Sequence, residues 1–291
     1  MKDYIDDIDF SFGKYSSTSL HQEYDDFLRF SEYVELLPDE VKRSKNITGR
    51  RKNYKNISTL FSSFCNADAK NATLFRKGTS CDDRLINAWL SFVYEKEEVM
   101  CSILNVPQYI PLTSDILSAF AKNSIDENFP LVAPKALLKL GIILIYEESI
   151  PSAKVDGVVY VNDHGNPVIG MSLRFSRIDN YWFTLMHELS HVLLHYNQLG
   201  SPIIDDTERE IESEDLVEAQ ADRKALDLLI PRSLWRGCAA KRSLREDDLF
   251  SFSNEIGIHP AIVAGRIRKE TRSYKIFSKI VNQINVREMI F

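Results

Sequence analysis

Trp182-Phe183-Thr184-Leu185-Met186-His187-Glu188-Leu189-Ser190-His191-Val192-Leu193-Leu194-His195 is the stretch from which the rest of this chain can be read. Its apolar residues recur at helical spacing and predict a long helix with a buried face. Inside it stands H-E-x-x-H. Residues four apart share one face of a helix, so His187 and His191 can present both imidazoles to a single metal ion. Glu188 is offset by one residue, where its carboxylate can reach an attacking water from the side and take a proton. The motif defines only three positions and recurs by chance, so its apolar surroundings carry part of the argument. A histidine pair with a glutamate between them, held in a rigid helix, predicts zinc.

His195 extends the row 187, 191, 195. It cannot complete a site with His187. Eight residues of helix rise by about 12 Å, against zinc–nitrogen bonds of about 2 Å. A supporting or helix-end role is expected for it, in contact with nearby acidic groups.

A catalytic zinc takes three protein ligands and keeps one position open. The third ligand must come from outside the helix. Downstream stand Asp205, Asp206, Glu208, Glu210, Glu212, Glu214, Asp215, Glu218 and Asp222. Glu218 stands out because it leads into Ala219, Ala221, Ala225, Leu226, Leu228 and Leu229. An alanine-rich helix can pack closely on the histidine helix and point a carboxylate inward. Spacing alone leaves the other acids open.

Upstream, Pro134 suits the first turn of a short helix through Leu140, and Gly141 suits its end. Ile142–Tyr146 and Val158–Val161 read as strands. Asn162-Asp163-His164-Gly165-Asn166 is a turn, and Val168–Leu173 is the returning strand. The sheet is expected to be small and antiparallel, or mixed. Its last strand is either an edge along which an extended substrate can pair or a buried middle strand. Further upstream, Leu85, Trp89, Leu90, Phe92 and Val93 recur at near-helical spacing, which makes Trp89 a core residue. Asp115–Phe120 begins another short helix.

The chain has 291 residues, 44% of them hydrophobic and 27% charged, which is ordinary for a globular protein. Its 36 Lys+Arg against 42 Asp+Glu leave a net charge of −6. That argues against a surface coated in cations for nucleic acid. A local basic run (Lys42, Arg43, Lys45, Arg50, Arg51, Lys52, Lys55) keeps a nucleic-acid or acidic partner in view. The start has no apolar signal core, and there is no run of about 18 apolar residues. Cys65, Cys81, Cys101 and Cys238 match no zinc-knuckle spacing and read as free thiols in a reducing cytoplasm.

The chain resembles the ImmA/IrrE family of metallopeptidase-like proteins. The resemblance rests on Val168–Arg174 leading through Asn180–Leu185 into the histidine helix. It rests equally on Glu218-Ala219-Gln220-Ala221-Asp222 continuing to Leu228-Leu229-Ile230-Pro231. It implies that Glu218 is the third zinc ligand beside His187 and His191, with Glu188 as the catalytic base. Asp222 stands where the family commonly has Asn. Phe75-Arg76-Lys77, Trp89, Ile142–Gly157 and Ile256–Arg266 resemble the branch in which a helix-turn-helix antitoxin or repressor domain precedes the peptidase-like domain. Residues 1–55 do not resemble such a domain. Pro260-Ala261, opening a helix with Arg266, Arg268 and Lys269, fits helix-turn-helix geometry, although a plain helical hairpin is favoured.

The resulting expectation is an α+β fold. A small mixed or antiparallel sheet packs on a zinc-binding helix of zincin type, with mainly helical segments on both sides. The chain divides into a polar segment 1–55, a helical region 56–125, a zincin-like domain 126–235 and a helical end 236–291. The resemblance implies a cytoplasmic Zn2+ endopeptidase that cleaves a regulatory protein, such as a helix-turn-helix repressor. Two other readings remain: an antitoxin that holds a toxin-like partner, and a DNA-binding transcription regulator. DNA is not favoured, and no membrane is expected.

Overall fold

A computed structural model describes residues 17–47, 57–58, 60–65, 81–205 and 216–291. Among the described residues four strands form one sheet: β1 (Ile143–Tyr146), β2 (Gly157–Val161), β3 (Pro167–Met171) and β4 (Ile203–Asp205), in the order β1-β3-β2-β4. β2 and β3 are an antiparallel hairpin. Asn162 closes it by accepting from the backbone N–H of His164 and Asn166, and Gly165 takes the left-handed conformation at φ 80°. β1 pairs parallel with β3, so the sheet is mixed rather than antiparallel. The chain from 147 to 156 carries β2 past the place where β3 inserts. β3 is thus the buried middle strand, and the edges fall to β1 and β4. β4 has no counterpart in the sequence reading; three residues are too few to show a period.

Side chains alternate across the sheet. Leu144, Val159, Ile169 and Met171 enter one core, and Ile143, Ile145, Val158, Tyr160 and Val168 enter the other. The first core lies against α6 (Ile178–His195), which carries the H-E-x-x-H motif. The second is covered by α3 (Cys81–Ile103), with Trp89, Leu90 and Val93 fully buried, by Phe30 and Tyr33 of α1 (Ser17–Leu36), and by Leu37 just after it. Helix, sheet and helix make three layers.

Glu147, at the end of β1, joins the outer layer to the sheet. It is buried and takes Lys96 at 2.8 Å and Lys45 at 2.9 Å, while its carbonyl accepts from Trp89 Nε1. Lys45 follows α2 (Asp39–Ser44) and also stands 4.1 Å over the Phe92 ring. One cation of the basic run is therefore used inside the fold. Arg50, Arg51, Lys52 and Lys55 lie outside the described residues, as does Phe75-Arg76-Lys77.

After α4 (Ser114–Ala121), α5 runs Phe129–Leu138, five residues earlier than the sequence suggested. Pro130 occupies its first turn, and Pro134 lies inside. Pro134 has no N–H for the carbonyl of residue 130. The Tyr146 hydroxyl donates to that carbonyl instead, at 2.8 Å, so the interior proline is tolerated. Gly141 follows with φ 72°, and a Cβ there would lie 2.6 Å from the Tyr109 backbone.

α7 (Leu216–Leu229) lies against α6. Two short helices follow, α8 (Arg232–Gly237) and α9 (Ala240–Ser243), then α10 (Glu246–Ile256) and α11 (Pro260–Thr271). Gly257 ends α10 in the left-handed conformation, and His259 Nδ1 caps α11. Ala261 through Arg268 are all buried, so α11 has no exposed face for a DNA groove over that span; α10 and α11 are a helical hairpin of the core. Arg266 donates to the carbonyls of Leu226 and Ile230 and so holds the end of α7. Cys65, Cys101 and Cys238 are free thiols, and no helix among the described residues is long and apolar enough to cross a membrane.

Candidate metal centre

Packing of α7 on α6 builds the site. Ala221 and Ala225 are buried where the two helices meet, and their small side chains let the backbones approach. Glu218, one turn before Ala221, then reaches the two imidazoles. His187 Nε2 lies 3.0 Å from His191 Nε2 and 3.1 Å from Glu218 Oε2, and His191 Nε2 lies 3.4 Å from Glu218 Oε1. Among the described residues, these three are the group whose ligand atoms converge, all within 4.8 Å. Of the other acids considered, Asp206, Glu208, Glu210, Glu212, Glu214 and Asp215 lie outside the described residues, and Asp205 is described by its backbone alone.

The donor chemistry fits zinc. Ligands of a tetrahedral site with bonds of about 2.0–2.1 Å stand about 3.3 Å apart. The two Nε2 atoms, 3.0 Å apart, and the 3.1 and 3.4 Å from each to one of the two Glu218 oxygens are close to that edge length. Hydrogen bonding points the same way. Asp222 Oδ1 lies 3.0 Å from His187 Nδ1, and an ionised carboxylate can only accept. Nδ1 of His187 therefore carries the proton, and Nε2 turns a lone pair toward the Glu218 carboxylate and His191. Acceptors at such distances repel one another unless a cation lies between them.

Burial and hydrogen bonding set the charges. Burial lowers the His191 pKa below its ordinary value, which favours the neutral imidazole that a metal requires. For Glu218 and Asp222 burial pushes the other way, but the hydrogen bond from His187 Nδ1 outweighs it at Asp222, and at Glu218 the Nε2 protons that His187 and His191 carry when protonated in the metal-free chain outweigh it. Glu218 is pulled down to about 2, and Asp222 is lowered too. A neutral His191 imidazole and an ionised Glu218 carboxylate are the forms a divalent ion needs.

Glu188 has no exposed surface. It points toward β2, where Gly157 leaves it space: a Cβ at Gly157 would stand 2.2 Å from Glu188 Oε1. His195 is the last residue of α6 and is buried. Its Nδ1 lies 3.2 Å from His191 Nδ1, and its Nε2 lies 3.0 Å from Gln220 Oε1. Its partner is thus an amide and not the acid anticipated. Asp222 also exceeds what the sequence gave away, although its position four residues after Glu218, on the same helical face, was a usable signal. Tyr181 does not reach the centre; its hydroxyl is 2.8 Å from that of Tyr146, inside the core.

Residues 140–267 match the family model described as Peptidase M78, IrrE N-terminal-like domain. This stretch is similar to an IrrE N-terminal-like domain. It spans the sheet, α6, α7 and most of α11, and so contains the three convergent side chains and Glu188. The helices that cover the outer face of the IrrE-like domain's sheet lie before the match begins. No curated protein matches the chain.

Proposed function

We propose that the chain is a zinc-dependent endopeptidase that acts selectively on a regulatory protein, such as a helix-turn-helix repressor. The observation that carries this reading is the tetrahedral-edge spacing of His187, His191 and Glu218 beside a buried Glu188. These three residues would hold the ion. When bound, zinc supplies a Lewis acid that polarises a peptide carbonyl and makes water easier to deprotonate. Glu188 accepts the water proton at a carboxylate oxygen as the water oxygen bonds to the carbonyl carbon. It then passes that proton to the amine nitrogen as the C–N bond breaks. Asp222 holds His187 through Nδ1 and keeps its Nε2 free for the metal. A site whose histidines and base are buried favours a substrate that fits over broad digestion.

The test compares wild type with Glu188→Gln at equal zinc content, each incubated with DNA-binding regulatory proteins of the native host. Zinc-dependent cleavage by wild type, reduced about 10²–10⁴-fold in Glu188→Gln, is the expected result. Stable capture of a regulator by both proteins, with no cleavage by zinc-loaded wild type, would overturn it and leave an antitoxin-like holding role.

A further inference from the structure

His195 is too far along α6 to share the metal with His187, yet it is a buried imidazole with both ring nitrogens engaged. Proton bookkeeping along its contacts has one self-consistent solution. His191 offers Nε2 to the centre, so in its neutral form the proton sits on Nδ1. That N–H points at His195 Nδ1, 3.2 Å away, which must then be the bare nitrogen. His195 in turn carries its proton on Nε2 and donates it to Gln220 Oε1 at 3.0 Å. Gln220 is two residues after Glu218 on α7, so the chain starts at a ligand from one helix and ends on the helix that supplies another.

We infer that His195 and Gln220 are positioning residues that fix the tautomer and ring orientation of His191 for the metal. The inference rests on the zinc reading above. It completes a symmetry of roles: Asp222 steers His187 from α7, and Gln220 steers His191 from the same helix through His195. Deleting an outer partner of a ligating histidine typically weakens metal affinity by 10–100-fold. The row of three histidines then has a division of labour, two to bind and one to aim.

The experiment measures zinc affinity by chelator competition and histidine tautomers by nitrogen-15 NMR of the zinc-loaded chain. Wild-type zinc binding is the control; its absence would sink the zinc reading itself, before the inference is reached. His195→Phe keeps the ring volume and removes the acceptor, so affinity is expected to fall about 10–100-fold. Gln220 is exposed, so Gln220→Leu leaves the core intact and is expected to weaken zinc by a smaller factor. Gln220→Glu retains an acceptor and is expected to restore wild-type affinity. A purely structural role would not produce this split between Leu and Glu. In wild type the proton of His195 is expected on Nε2. Wild-type zinc affinity in folded His195→Phe, or a His195 proton on Nδ1, would overturn the inference.

Discussion

A methyl group on residue 157 would lie 2.2 Å from Glu188 Oε1, so Gly157→Ala must displace the carboxylate or the strand. The expected outcome is a variant that binds zinc like wild type, since the nearest atoms to that methyl all belong to Glu188, but loses most peptidase turnover. Metal analysis beside a cleavage assay checks both halves. Acid should act on the metal-free chain in two windows. His191 has a folded pKa below its unfolded value, so its contribution to stability is full above about pH 6.5 and declines below it. Glu218 is lowered from 4.5 to about 2, so its contribution is present above about 4.5 and is lost between there and about 2. Melting temperature against pH should therefore fall in both steps, and Glu218→Gln should shrink the lower one, leaving the part that Asp222, also lowered, contributes. His187, Glu188 and His191 were readable because the motif is local. Glu218 required the family resemblance, since a ligand from a second helix has no fixed spacing. Gly157 was invisible, because nothing in a sequence says which strand a carboxylate will meet.

Among the elements, α5 shows how a local rule is overridden. A proline at position 134 predicts a helix start, and the helix instead runs through it because Tyr146 takes the orphaned carbonyl of Pro130. Tyr146→Phe would leave that carbonyl without this donor and the buried Tyr181 hydroxyl without this partner. It should cost about 1–3 kcal/mol of unfolding free energy, measured by denaturant titration. The hairpin and the histidine helix were legible because turn chemistry and the 3.6-residue period are written locally. The parallel pairing of β1 with β3 was not. It depends on where β3 inserts, which is a property of the assembled sheet.

At the scale of the molecule, the matched domain is not self-sufficient. Ile143, Ile145, Val158, Tyr160 and Val168 form one face of its sheet, and their cover comes from α1 and α3, outside the match. A fragment of residues 140–267 should therefore expose that face, bind hydrophobic dye and aggregate. Restoring the chain from its start should abolish both effects; circular dichroism with dye fluorescence would show it. Trp89 was predictable as core, but its position on the far side of the sheet from the ligands was not. The sheet works as a partition. The candidate ligands and Glu188 lie on one side, and the outer helices reach them through the strands between. Sequence drift in the outer layer can thus remodel that face while His187, His191 and Glu218 stay untouched. Its influence on Glu188 passes through β2, where Gly157, a residue without a side chain, meets that carboxylate.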